Sequence, residues 1–269
     1  MNQLVNSEAP KSSSSSNSTR SSVMLLSRDL GLGKDSGGVQ ERIKQRQSRL
    51  AEQYQLNVEA VLKHAISDSQ NDIASHELDP DWWHQYQQLA EQIHNPKMQQ
   101  LWGKILTIEL AQPRSFGLKA LETLKRMNHR DAQLLLSAVA LCCSLDHDPS
   151  PIIITGWRSD PALAGLLPGR GEQLSLSGFG LPYSAVLSLR ELGILHAVEL
   201  ETGRLPTTTM TLKFFNSRLQ LQPKHGRLHL RYLRFTNSGQ ELVRLLQEES
   251  LRDYIASLAT LAPKDASWA

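Results

Sequence analysis

Basic side chains are concentrated in the C-terminal third of the sequence. Between Thr202 and Arg244 the chain has eight Lys or Arg residues and a single acid, Glu241. Aromatic residues stand among them, and a basic surface with interleaved aromatic side chains is typical of proteins that bind phosphate backbones. The candidate contacts with nucleic acid or a partner are Arg218, Lys224, Arg227, Arg231 and Arg234. A solvated sheet face, balanced by the acidic pair Glu248 and Glu249, is the alternative.

Two other groups have the chemistry of metal ligands. His225 lies in a predicted turn and His229 follows it, and the triplet 146–148 is Asp-His-Asp. Imidazole and carboxylate groups are common metal ligands. Solvated histidines on a hairpin and a helix-ending turn explain the same residues without a metal. We therefore expect no metal ion and no cofactor.

Signatures of catalysis are poorly supported. The segment Gly-Leu-Gly-Lys at 31–34 resembles a phosphate-binding loop, but Asp35 stands where such a loop needs Ser or Thr, and no strand precedes it. Glu109 lies in an otherwise apolar helix and is predicted to be partly buried. A single acid without an identified second group favours structural pairing. The sequence therefore predicts no catalytic residue and favours a non-enzymatic protein.

The composition favours a globular protein of a reducing compartment. Hydrophobic residues make up 40% of the 269, and the formal net charge is +2, so the charge of the whole chain indicates neither a nucleic-acid nor a membrane binder. The adjacent residues Cys142 and Cys143 suit buried thiols better than a disulfide. The N-terminal sequence lacks the pattern of a secretory signal, and the most apolar window, 134–143, is too short to span a bilayer. We expect a cytoplasmic protein with no membrane partner.

Hydrophobic periodicity and capping residues predict a helical domain over residues 37–146. Helices are expected to follow caps at Asp79, Asn95 and Asn128. The first helix, 39–66, has apolar residues at steps of three, four and seven, a spacing that allows a coiled-coil homo-oligomer.

Two polar residues, Arg46 and Gln47, interrupt the apolar stripe of that first helix. The interruption favours packing of the helix on its own domain over a coiled coil.

Residues 181–262 are predicted to form an α+β module. It begins with a helix over 182–192 and closes with an amphipathic helix. The predicted strands are 196–201, 207–215 and 228–235, and a turn at 223–226 joins the last two.

The remaining segments connect or flank these parts. Residues 1–36 are rich in Ser and Gly and are predicted to be a disordered tail. Residues 147–180 form a Pro- and Gly-rich connection with one short strand at 152–155, and residues 263–269 are a terminal tail. The predicted fold class is mainly α with a small β component, an α+β arrangement.

The C-terminal module resembles a winged helix. Its first helix ends on Leu-Arg-Glu-Leu-Gly-Ile-Leu at 189–195, and strands lead to Thr-Asn-Ser-Gly-Gln-Glu-Leu at 236–242. In such modules one helix reads DNA and a hairpin forms the wing. The corresponding helix here carries one base, Arg190, beside Glu191, and readout of a major groove normally needs several Arg, Asn or Gln side chains.

A second resemblance covers the helical domain. The segment 95–109, which begins Asn-Pro-Lys-Met-Gln-Gln-Leu-Trp, resembles, together with 113–124 and Asp131-Ala132, a family of uncharacterised proteobacterial conserved hypothetical proteins that contain a domain of unknown function. The resemblance implies no established activity.

The expected function is that of a non-enzymatic interaction protein of a bacterial cytoplasm that binds a protein partner. A nucleic-acid-binding regulator that uses the basic strand region 204–244 is the alternative, and an enzyme of unrecognised type is the third hypothesis. Convergence of the five candidate bases on one exposed face would favour the regulator, and dispersal of these bases would argue against it.

Overall fold

Helices occupy the first half of the chain and strands most of the second half. A computed structural model describes residues 19–29, 38–69, 76–146, 148–162, 166, 168–246, 249–262 and 264–269. The helices are α1 (Thr19–Asp29), α2 (Val39–Asp68), α3 (Pro80–Ala90), α4 (Pro96–Ala111), α5 (Leu118–Arg126), α6 (His129–Ala140), α7 (Tyr183–Glu191), α8 (Asn237–Leu245) and α9 (Arg252–Leu258). The strands are β1 (Cys143–Leu145), β2 (Asp148–Ser159), β3 (Arg170–Gln173), β4 (Leu200–Glu201), β5 (Met210–Lys213), β6 (Arg218–Pro223), β7 (Leu228–Arg234) and β8 (Ala266–Trp268). The predicted α+β class, with a helical region before the sheet, is confirmed.

Three helices begin at the caps that the sequence predicts. The side chains of Asp79 and Asn95 each accept hydrogen bonds from two backbone N–H groups in the first turns of α3 and α4, and proline follows each cap. Asn128 and Asp131 form a reciprocal capping box at the start of α6. These bonds satisfy donors that the start of a helix otherwise leaves without partners.

Helix α2 belongs to two units of the chain, Met1–Leu56 and Asn57–Ala269. In the second unit its buried residues are Asn57, Val61 and Ala65. Gly103 allows α4 to approach α2 closely, because a Cβ atom at this position would lie only 2.9 Å from the backbone nitrogen of Ala65 in α2.

The described strands join one antiparallel sheet in the order β4-β7-β2-β1-β5-β6-β8, and β3 pairs with β2. The connection from β6 to β7 contains only residues 224–227. Those residues can span at most about 17 Å, whereas four strand spacings in a flat sheet are about 19 Å. The sheet must therefore curl between β7 and β6.

The hydrophobic core of residues 57–269 is continuous from the helices to the sheet. Helix α8 contacts α4, α5 and β2 and so links the two parts. The buried Tyr254 of α9 donates a hydrogen bond to the backbone oxygen of Ile154 on β2, at 2.7 Å. None of the helices in the described part of the chain is long and apolar enough to cross a membrane.

The predicted Pro- and Gly-rich connection contains the longest strand of the sheet. The sequence predicts a short strand at 152–155, but β2 extends over 12 residues and pairs with β1, β3 and β7. Residues 152–157 are all buried, so β2 lacks the alternation of polar and apolar residues that identifies a half-exposed strand.

The strands predicted over 207–215 and 228–235 are not neighbours in the sheet. β5 pairs with β6, whereas β7 pairs with β2 and β4. The sequence interpretation missed β6, whose residues alternate between exposed and buried up to Pro223. Of the predicted strand 196–201, only Leu200–Glu201 is a strand.

The predicted flanking and closing segments also differ. Within the predicted tail 1–36 the structure describes residues 19–29, which are helical, and the rest of the tail lies outside the described residues. The predicted terminal tail contains β8, which pairs with β6 and is too short to give a sequence signal. The closing helix is divided into α8 and α9.

Candidate functional site

A cluster of charged side chains lies where β2, β4 and β7 meet. Cross-strand pairing places Arg158 opposite His229 and Glu201 opposite Arg231. Directly opposed residues of antiparallel strands share one face of the sheet. We use the name charged cluster for six residues: Arg158, Asp160, Glu201, Arg204, His229 and Arg231.

Two carboxylates contact the basic side chains of the charged cluster. Asp160 lies 2.6 Å from Nη1 of Arg158, 2.9 Å from Nε of Arg204 and 3.2 Å from Nε2 of His229. Glu201 lies 2.6 Å from Nη2 of Arg158 and 3.8 Å from Nε of Arg231. The Nδ1–H group of His229 donates to the backbone oxygen of Thr202, at 2.9 Å.

These contacts stabilise the ionised forms of Asp160, Glu201 and Arg158. Hydrogen bonds from Arg158, and next from His229, hold the pKa of the Asp160 carboxyl well below its usual range. Arg158 likewise lowers the pKa of Glu201, and both carboxylates raise the pKa of Arg158. The two carboxylates therefore offset part of the positive charge of the cluster within the protein.

The structure does not bring the five candidate bases together on one face. Arg231 belongs to the charged cluster, and Arg234 lies three residues further along β7, which directs it to the opposite face. Nη2 of Arg234 is 3.0 Å from the carboxylate of Asp148.

The other three candidates lie on or after β6. Arg218 is the exposed first residue of β6, and three strands separate β6 from β7 in the sheet order. Lys224 and Arg227 lie in the turn after β6. Nε of Arg227 is buried without a hydrogen-bond partner among the described residues.

Glu109 holds the loop between α4 and α5. Its side chain is buried, and its carboxylate accepts hydrogen bonds from the backbone N–H groups of Arg114, at 2.6 Å, and Phe116, at 2.9 Å. Glu241 of α8 accepts from the N–H group of Gly117 in the same loop, at 2.8 Å. Burial raises the pKa of Glu241. The acid that the sequence singled out thus pairs with backbone groups.

The residues with metal-ligand chemistry pair with separate partners. Nε2 of His225 lies 2.8 Å from Asp265, while His229 belongs to the charged cluster. Asp146 contacts Lys213 at 3.1 Å. His147 and the segment 31–35 lie outside the described residues. Within the described ranges, no three His, Cys, Asp or Glu side chains are grouped as metal ligands would be.

An apolar stripe on the first part of α2 is a second candidate surface. Val39, Ile43 and Leu50, which we call the α2 stripe, are 61%, 44% and 38% exposed. Steps of four and seven place them on the same helix face as Asn57 and Val61, which are only 2% and 1% exposed. One face of a single helix is therefore buried in the second unit and exposed in the first.

The sequence interpretation missed most of the charged cluster. Arg158 and Asp160 lie in the segment interpreted as a connection, and Glu201 lies outside the basic region. The Arg-x-Asp spacing after a long β-branched strand is a weak local signal. The register between β2, β4 and β7 brings these residues together, and that register was not predicted.

A family model described as "Protein of unknown function (DUF2806)" matches residues 41–259. The chain belongs to the DUF2806 family. The DUF2806 match runs from the third residue of α2 to the residue after α9, and so includes the charged cluster and most of the α2 stripe. No curated protein and no solved structure matches the chain.

Proposed function

We propose that the protein is a non-enzymatic interaction protein that binds a protein partner through the α2 stripe. The observation that carries the proposal is the exposure of Val39, Ile43 and Leu50 on a helix face that is otherwise buried. Apolar residues at these steps match the pattern by which one amphipathic helix binds another.

The charge around the α2 stripe indicates the chemistry of the partner. Residues 39–50 contain four bases and one acid, Glu41. A second copy of the same helix would bring like charges together, which opposes association. We therefore commit to an acidic amphipathic helix as the occupant.

The test uses a synthetic helical peptide built of seven-residue repeats, with Leu at heptad positions a and d and Glu at heptad positions e and g. Its binding to the full chain is measured by fluorescence anisotropy at low and moderate salt. We expect salt-sensitive binding of this peptide, and no binding of a peptide with Lys in place of Glu. Binding should be lost in the double variant Ile43→Lys, Leu50→Lys.

A matched control adds the same charge to the opposite face of the helix, by Gln45→Lys and Ser48→Lys. This control variant should bind the acidic peptide nearly as well as the wild type. Failure of the wild type to bind the acidic peptide contradicts the proposal. A dimeric mass in solution that the stripe variant abolishes would assign the α2 stripe to a second copy instead.

Nucleic-acid binding is the second candidate. It is supported by the exposed residues Arg218, Gln220 and Gln222, which share one face of β6 with polar residues of β5. The carboxylate partners of Arg231 and Arg234 count against it. A mobility-shift titration with duplex DNA and single-stranded RNA, repeated with Arg218→Ala, tests this candidate.

We also propose a winged-helix-like organisation, a proteobacterial source and a cytoplasmic location. A winged-helix-like organisation of 181–262 is supported by the order of α7, the β5–β6 hairpin and α8. The resemblance of the helical domain to a proteobacterial family supports the proposed source. The free cysteines Cys142 and Cys143 support the proposed cytoplasmic location. An enzyme of unrecognised type is the third hypothesis.

A further inference from the structure

A pocket of about 630 Å³ lies between α7 and the central strands. Its apolar wall includes Leu176, Leu181, Val186 and Leu233, which are buried. A volume of this order and a largely apolar wall with a few polar groups are typical of small-molecule sites.

Arg190, which forms no ion pair with any described residue, lines one side of the pocket. Arg190 follows Val186 by one helical turn of α7, and both line the pocket. Nε of Arg190 is buried and has no hydrogen-bond partner among the described residues. A buried guanidinium N–H group without an acceptor carries a desolvation cost that a bound anion would relieve.

Glu199 lines the same pocket and forms no ion pair with any residue that the structure describes. Glu199 accepts a hydrogen bond from the hydroxyl of Thr155 and forms no ion pair with Arg190. Thr155 is the extra residue of a β-bulge, because Ile154 and Gly156 pair with consecutive residues of β7. A bulge redirects a side chain out of the strand alternation, and here the hydroxyl contacts the acid.

We propose that this pocket binds a small zwitterion with an apolar side chain, an amino acid or a short peptide. The carboxylate of the ligand pairs with Arg190, its ammonium group pairs with Glu199, and its side chain lies against Leu181 and Leu233. The presence of Glu199 opposes polyanions such as nucleotides, since a like charge repels phosphate. The site goes beyond the proposed partner binding and does not depend on it.

Isothermal titration calorimetry with the full chain tests whether this pocket binds a zwitterion. The probes are the apolar amino acids and the apolar dipeptides, each at up to about 10 mM, a range in which millimolar affinities are measurable. Binding of amino acids alone, or of dipeptides alone, distinguishes the two sources of the zwitterion. Absence of binding by every probe overturns the proposal.

Two derivatives of the probe that binds test the two charges on the wild-type protein. The N-acetyl derivative lacks the ammonium charge, and the amide lacks the carboxylate charge. Each derivative removes one charge and is expected to bind about 10- to 100-fold more weakly, since one charge-assisted hydrogen bond is lost. Equal binding of the N-acetyl derivative overturns the role of Glu199, and equal binding of the amide overturns that of Arg190.

Two variants then assign the charges to residues. Arg190→Gln should weaken the zwitterion but leave the amide unchanged, and Glu199→Gln should weaken the zwitterion but leave the N-acetyl derivative unchanged. Arg218→Gln, a change of the same type on β6, is the matched control and should bind like the wild type. Equal binding of the zwitterion by wild type and Arg190→Gln contradicts the proposal.

Discussion

Replacement of Glu109 by Ala is expected to destabilise the protein by about 3 to 6 kcal/mol. The carboxylate accepts two backbone hydrogen bonds, from Arg114 and Phe116, and each bond to a charged group contributes about 1.5–3 kcal/mol. Phe116 is 1% exposed, so its N–H group would lose a buried acceptor. The cost is a large share of a typical total stability of about 5–15 kcal/mol.

Urea unfolding followed by tryptophan fluorescence measures this effect. Trp82 is a suitable reporter because its indole N–H group donates to the backbone oxygen of Phe116, at 2.7 Å, within the same loop. Glu109→Gln keeps one acceptor and should cost about 1.5–3 kcal/mol.

The exposed Glu122 of α5 supplies the control. Glu122→Gln should change the free energy of unfolding by less than about 0.5 kcal/mol. A change below about 1 kcal/mol for Glu109→Ala would refute the argument that this acid holds the loop.

Three further predictions concern packing and charge. Gly239→Ala should destabilise by about 2 kcal/mol or more in urea unfolding, because the methyl group would overlap the backbone oxygen of Ile194. Tyr86→Phe should cost about 1–2 kcal/mol by the same assay, since it removes a buried 2.7 Å hydrogen bond to the backbone oxygen of Trp102. Asp160 has a lowered pKa in the folded state, so its contribution is present above the unfolded pKa of about 3.9 and is lost as the pH falls through the folded value. The difference in melting temperature between the wild type and Asp160→Asn should therefore be smaller at low pH than at pH 7, and an unchanged difference would contradict this argument.

Local signals predicted the helical part well. Asp79, Asn95 and Asn128 cap helices where the sequence places them, because a cap depends only on the residues of the next turn. The strands depend on distant partners. β8 is a strand because β6 lies beside it, and no property of three residues alone predicts that pairing.

The candidate sites show the same contrast. The α2 stripe is visible in the sequence, because its spacing lies within one helix, but the sequence does not distinguish the buried part at Asn57 from the exposed part at Ile43. The charged cluster joins Arg158 to Glu201, which are 43 residues apart in the sequence. Only the pairing of β2 and β4 with β7 brings them together.

The most direct test of the proposed function is the affinity of the acidic helical peptide for the wild type and for Ile43→Lys, Leu50→Lys. Burial of each apolar side chain contributes about 1.5–3 kcal/mol, so loss of both should raise Kd by at least about 100-fold. The control Gln45→Lys, Ser48→Lys should leave Kd within about threefold of the wild type, a difference below 1 kcal/mol. Equal Kd values for the wild type and the stripe variant would contradict partner binding through the α2 stripe.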